Sequence, residues 1–280
     1  MKRSIALAQI SPAIADVPRN IDKHIAYIDD AIEADAGMIV FPELSLTGYT
    51  LRDSNFEVAL RPGAEILDPL RERSDKITIV CGGVEESEEF GVYNAAFVFD
   101  KGGCSTYRKI YPPDYAIFEE GRYFLPGKHI KPMQTAAGKI GVLVCEDLWH
   151  LSLPLLYAYQ GVQLLIVISA SPTRMPGAGG LTNHEYNSQH HATVARLLSM
   201  NLVFVNRVGF EDGVNFWGCS QYLNAHGDIV ATADEFEEEL LIVESDDMDV
   251  RDARRFSRHF LDDDPVFMHR QLARIIREQE

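Results

Sequence analysis

The 280-residue sequence predicts a layered α/β domain. Two observations carry this. Short apolar runs of strand length recur along the chain, and between them lie segments whose apolar residues are spaced three and four apart. Their order is mixed, with strand–helix–strand units alternating with hairpin-like pairs, so helices must pack on sheets. Periodicity alone leaves open whether the layers are αβα or αββα.

Ser4–Gln9 reads as the first apolar strand. Asn20 can cap a helix that carries Ile21, Ile25, Ile28 and Ile32 on one face. Met38–Phe41 is too short for a helix, reads as a buried strand and ends at Pro42. Further strands are expected at Ile77–Gly82, Tyr93–Phe99, Ile140–Val144, Leu164–Ile168, Leu202–Val208, Gln221–Asn224, Ile229–Thr232 and Leu240–Val243. Helices are expected at Asp68–Arg73, Leu153–Gln160 and Tyr186–Met200. Ser171–Leu181 holds two prolines and three glycines and reads as a loop. It lacks the Gly-Lys-Ser/Thr ending of a phosphate loop. The chain divides into one domain over 1–245 and a charged tail over 246–280. In the tail, Pro265–Arg277 can form a helix that turns Phe267, Leu272, Ile275 and Ile276 inward, docked on the domain or on a neighbouring subunit.

Composition narrows the function. With 46% hydrophobic residues the chain can bury a sizeable core. No apolar run approaches the roughly 18 residues of a membrane span. MKRSIALAQI meets polar residues at once and reads as a strand, not as a signal peptide. The net charge of −16 disfavours nucleic acid and anionic membranes as partners. Asp234–Glu239 and Asp262–Asp264 read as solvated acidic surface. Four scattered cysteines without a CxxC pair point to a reducing compartment, the cytoplasm. No metal site is expected, since the adjacent His190 and His191 cannot both face one side of a helix.

Three residues stand where chemistry is usually placed. Cys145 follows the apolar strand IGVLV, at the sheet edge where α/β proteins bind ligands. A turn starting there would offer N–H groups that lower the thiol pKa and hold an oxyanion. Glu43 ends another buried strand, where a partly desolvated carboxylate can serve as a base. Lys109 lies in YRKIYPP, a rigid segment able to fix a positive charge. Taken singly, each has an ordinary structural reading: an inert buried cysteine, a turn-capping carboxylate, a solvated lysine.

Together, FPELSLTGY, YRKIYPPDY and VCEDLWH resemble, in order, the three catalytic signatures of the nitrilase superfamily of carbon–nitrogen hydrolases. The resemblance runs from IALAQI to EELLIVESD and includes NRVGFEDGVNFWGCSQYLNAHGDIV. It implies a four-layer αββα sandwich that pairs into a homodimer or higher oligomer. It also implies Glu43 as general base, Cys145 as nucleophile and Lys109 as the cation beside the developing oxyanion. In FEEGRYF it implies Glu120, rather than Glu119, as a second glutamate orienting the lysine and substrate. The reaction implied is hydrolysis of a small-molecule amide through a Cys145 thioester, with no cofactor and no metal.

CEDLW and KIYPPDYAIFEEGRYF look most similar to the glutamine-hydrolysing domain of glutamine-dependent NAD synthetases. That likeness implies substrate contacts from Tyr115, Glu146, Trp149 and Ser171, with the Glu146 backbone N–H on the oxyanion. The Ser-Gly-Gly phosphate loop of a synthetase domain is not found in the sequence. The expectation is therefore a stand-alone amidase or an amidase subunit feeding ammonia to a separate synthetase. An N-carbamoyl amine hydrolase, an acyltransferase and an inactive binding scaffold are the alternatives, and retention of Glu, Lys and Cys speaks against the last.

Overall fold

A computed structural model of the chain describes residues 2–173, 183–257 and 259–279. Its strands are β1 (Lys2–Gln9), β2 (Met38–Val40), β3 (Thr78–Glu86), β4 (Val92–Asp100), β5 (Gly103–Arg108), β6 (Met133–Thr135) and β7 (Gly138–Val144). There follow β8 (Leu164–Ser169), β9 (Asn201–Asn206), β10 (Val208–Glu211), β11 (Val214–Trp217), β12 (Gln221–Leu223), β13 (Ile229–Thr232) and β14 (Glu239–Asp246). The helices are α1 (Val17–Glu33), α2 (Asn55–Val58), α3 (Asp68–Arg73), α4 (Glu120–Tyr123), α5 (Ser152–Tyr159), α6 (Asn183–Leu198), α7 (Asp247–Phe256) and α8 (Pro265–Gln279).

Two six-stranded sheets form, in the orders β14-β1-β2-β3-β4-β5 and β13-β12-β9-β8-β7-β6. β1–β2–β3 and β7–β8–β9 run parallel at the centre of each sheet. The alternation along β1 decides the layering, because successive side chains point to opposite faces. Ile5 and Leu7 join a core with β7, β8 and β9, whereas Ala6 and Ala8 join a second core with Ile21 and Ile28 of α1 and Leu70 of α3. Leu153 and Tyr157 of α5 and Val194 of α6 cover the second sheet. The sheets therefore lie face to face with helices outside, the αββα sandwich.

Some expectations need correction. Asp16, not Asn20, caps α1, accepting from the Arg19 N–H. Asn20 is buried inside the helix, where its amide bonds the backbone of Ala13 and Leu46. Leu202–Val208 is not one strand: at Arg207 the chain leaves the sheet and begins the β10–β11 hairpin. β5 and β6 carry too little apolar sequence to stand out. The loop expected over Ser171–Leu181 lies outside the described residues from 174 onward.

The tail begins with a continuation of the sheet, since β14 pairs with β1 as far as Lys2↔Asp246. α7 then packs Val250 and Ala253 on Ala225. α8 forms, but Phe267 (61% exposed), Leu272, Ile275 and Ile276 face solvent in the single chain, and no residue of this helix is buried. Docking of α8 on its own domain is therefore not observed: the hydrophobic spacing fixes a helical face but not what covers it.

Candidate active site

The three candidate residues follow the ends of three different strands, and the sandwich brings those ends together. Glu43 lies just past β2, where the Phe41 N–H bonds Val80 O and the Leu46 N–H bonds Gly82 O. Gly82 is required for this approach: a Cβ there would overlap the backbone of Pro42, Glu43 and Leu44. Lys109 follows β5, its N–H donating to Asn94 O at 2.9 Å. Cys145 follows β7 and opens a short 3₁₀ turn, Cys145–Trp149, with φ at 46°, a left-handed conformation that few non-glycine residues adopt.

A buried charge cluster joins the first two. Lys109 (1% exposed) donates through Nζ to Glu43 Oε1 at 2.8 Å and to Glu120 Oε1 and Oε2 at 2.8 and 2.9 Å. Glu43 also accepts from Asn94 Nδ2 at 2.8 Å and, across the sandwich, from the Ala170 N–H at 2.8 Å. Glu120 accepts from the Tyr49 hydroxyl at 2.6 Å and from Asn94 Nδ2 at 3.2 Å. Burial alone would pull the Lys109 ammonium down, but the Glu120 and Glu43 carboxylates outweigh it and hold its pKa well above the ordinary value. Burial pushes the Glu120 carboxyl up, against the pull of Lys109. Glu119, the neighbouring candidate, is exposed.

The thiol departs from expectation. Its pKa is raised, not lowered: burial is the largest cause and the Glu43 charge adds to it, while Lys109 and the Ser169 hydroxyl oppose. Ser169 Oγ lies 3.2 Å from Cys145 Sγ. N–H groups of a single short turn do not offset desolvation beside a carboxylate. Burial and the Glu43 charge thus both favour the protonated thiol.

Asp147 locks the lysine segment to the cysteine turn. It is fully buried and accepts from the Ile110 and Tyr111 N–H groups at 3.0 and 2.9 Å, from the Tyr107 hydroxyl at 2.9 Å and from the Val144 N–H at 3.2 Å. Burial raises its carboxyl to about 6, with Lys109 opposing. This role, and those of Asn94, Tyr49 and Ser169, were missed in the sequence. Asp147, inside CEDLW, and Tyr49, the last residue of FPELSLTGY, stood in motifs that could have signalled them.

The remaining candidates are less tightly gathered. Tyr115 is half exposed and donates its hydroxyl to Glu146 Oε2 at 2.8 Å, so these two form a pair. Trp149 is also half exposed and stacks on His190 of α6, with centroids 4.5 Å apart. Ser171 is buried, its N–H donating to Asn206 Oδ1 and its Oγ accepting from the Trp217 indole N–H at 3.2 Å. A cavity of about 300 Å³ opens beside the cluster, lined by Tyr49, Phe118, Glu120, Pro172 and Phe216 among others but not by Cys145, Tyr115, Glu146, Trp149 or Ser171.

Known proteins are similar to this chain in sequence and in fold. The carbon–nitrogen hydrolase family model matches residues 4–255. The glutamine-dependent NAD(+) synthetase of Acinetobacter baylyi is 34% identical over 248 residues, covering 86% of this chain and 44% of the relative. The solved glutamine-dependent NAD+ synthetase of Acinetobacter baumannii has a TM-score of 0.78 at 31% identity, over 89% of this chain and 47% of that one. The carbon–nitrogen hydrolase of Helicobacter pylori G27 shares the fold, with a TM-score of 0.85 at 23% identity over 97% and 99% of the two chains. This chain belongs to the carbon–nitrogen hydrolase family. It is an enzyme of the amide-hydrolysing kind within it. It spans less than half the length of the two synthetases it matches.

Proposed function

We propose that the protein hydrolyses the side-chain amide of glutamine, or a short amide like it, through a thioester on Cys145. The observation that carries this is the buried Glu43–Lys109–Glu120 cluster, whose charges act on a protonated thiol held on a strained turn. Glu43 takes the thiol proton as Cys145 attacks the carbonyl carbon, since a protonated thiol is a weak nucleophile. The carbonyl oxygen becomes an oxyanion between the Lys109 ammonium and the N–H of Glu146, which the first turn of a helix leaves without an intrahelical acceptor. Glu43 returns the proton to the nitrogen, the C–N bond breaks and ammonia leaves. Water then gives a proton to Glu43, its oxygen attacks the thioester, and the acid departs as the thiol is restored. Glu120 holds Lys109 in place throughout.

Glutamine is favoured by the likeness to glutamine-dependent synthetases over nearly nine-tenths of this chain. In this reading Tyr115, Glu146, Trp149 and Ser171 contact the substrate, Trp149 at its remote part. The ammonia is free to serve a synthetase. The solvent-facing side of α8 pairs subunits into a homo-oligomer, and four free cysteines suit a reducing cytoplasm. The test is ammonia release from glutamine, short ω-amides and N-carbamoyl amines, by wild type and Cys145→Ala. Release from glutamine should vanish in a variant whose circular dichroism is unchanged. A folded Cys145→Ala that keeps full activity would overturn the mechanism.

A further inference from the structure

We propose that Glu211 is a positioning residue for this reaction, acting through Tyr49 to set Glu120 against Lys109; this rests on the reading of Cys145 as nucleophile. Glu211, at the end of β10, is buried and far in sequence from every reacting group. Its Oε1 accepts from two consecutive backbone N–H groups, Tyr49 at 2.9 Å and Thr50 at 2.6 Å. Its Oε2 accepts from Arg207 Nη1 at 2.8 Å. Tyr49 in turn donates its hydroxyl to Glu120 Oε1 at 2.6 Å. A carboxylate bound to two N–H groups of one turn fixes that turn in both position and rotation, and the hydroxyl moves with it.

The other end of the network returns to the nucleophile. Arg207 is 1% exposed, with its guanidinium 4.2 Å over the Phe216 ring. Its backbone N–H donates to Ser169 O at 3.2 Å, and the Ser169 hydroxyl donates to Cys145 Sγ. Cys145, Ser169, Arg207, Glu211, Tyr49, Glu120 and Lys109 thus form one connected path around Glu43. A buried ion pair returns little net stability after desolvation. One that sits between the nucleophile's strand end and the loop bearing Tyr49 is instead suited to holding the two at fixed separation.

The consequence is chemical. Lys109, Glu43 and Tyr49 are the titratable groups that bond or flank Glu120, with Cys145 beyond the lysine. If Tyr49 swings away, Glu120 loses a donor to its charged form and burial protonates it more readily. Lys109 then loses part of its anchor and is no longer held in one place against the groups around Cys145.

The experiment measures alkylation of Cys145 by iodoacetamide across pH, located by mass spectrometry, in Glu211→Gln, Tyr49→Phe and the double variant, beside thermal unfolding. Each single variant should slow alkylation at neutral pH about tenfold, the weight of one charge-assisted hydrogen bond. Each should also change the pH dependence of the rate, since Lys109 and Glu120 both act on the thiol. The double variant should be no slower than the slower single, because both changes act on one path. Multiplying effects, or a Glu211→Gln that melts earlier yet keeps the wild-type profile while folded, would overturn the proposal. If wild-type Cys145 reacts no faster than the partly exposed Cys104, the nucleophile assignment fails instead.

Discussion

Glu43 accepts from Lys109, Asn94 and the Ala170 N–H, which leaves it little freedom to turn. As the base in the proposed reaction, Glu43 held this way would start each cycle already oriented, and reorganisation would be avoided at the moment of transfer. Asn94 is the economical element here, since one amide nitrogen bonds Glu43 Oε1 and Glu120 Oε2 together. Asn94→Ala should lower kcat for ammonia release from glutamine by about 10- to 100-fold, the loss of one or two buried hydrogen bonds to charge. KM should change less, because Asn94 touches the base and not the substrate. A kcat within twofold of wild type would show that Glu43 and Glu120 hold their places without it.

At the scale of elements, the site depends on how closely the turn after β2 lies against β3. Gly82 allows it, and a Cβ there meets backbone on three successive residues, which cannot rotate away as a side chain can. Gly82→Ala should therefore displace Glu43 and depress turnover far more than Gly63→Ala, where a Cβ meets nothing. Overpacking of this kind costs about 1–3 kcal/mol in stability, so thermal unfolding should move with activity. If Gly82→Ala retains wild-type turnover, the loop has room that these contacts deny. The strand-end positions of Glu43 and Cys145 could be read from apolar runs; that of Lys109 could not, because β5 before it carries too little apolar sequence. Gly82 could not, because a glycine inside a strand pattern does not say which backbone approaches it.

For the whole molecule, buried titratable groups set the response to acid. Burial lowers His24 to about 4 and His191 to about 3. Below the free imidazole value of about 6.5 the unfolded chain binds protons that the fold excludes, so stability is lost as pH falls from about 6.5 toward 4. Asp147, raised to about 6, acts oppositely: its contribution is fullest below its unfolded value and is lost as pH rises through 6. The downward shifts of His24, His191 and, by burial, His190 oppose the upward shifts of Asp147 and Glu120, and the histidines outnumber the acids. The urea midpoint should fall between pH 7 and pH 5, and fall less in His191→Phe, which keeps an aromatic ring against Phe204. An equal fall in both proteins would remove His191 from this account.

The exposed side of α8 belongs to the same scale. Val266, Phe267, Leu272 and Ile276 are each more than half exposed on one amphipathic helix, and such a stripe gains by being covered. Deleting residues 258–280 should convert an oligomer into smaller species by light scattering. An unchanged mass would show that α8 does not join subunits.

Local sequence determined most of the strands, the amphipathic helices and the strand-end placing of Glu43 and Cys145, because period and turn chemistry are properties of neighbouring residues. The ordered motifs added Glu120 and the family. Tertiary structure alone decided that Asn94 bridges two glutamates, that Glu211 holds Tyr49 from 162 residues away, and that the Cys145 thiol pKa rises. It also decided that α8 leaves its apolar side in solvent. Each of these depends on which distant groups approach and which lose water, and desolvation and long-range contact leave no trace in local periodicity.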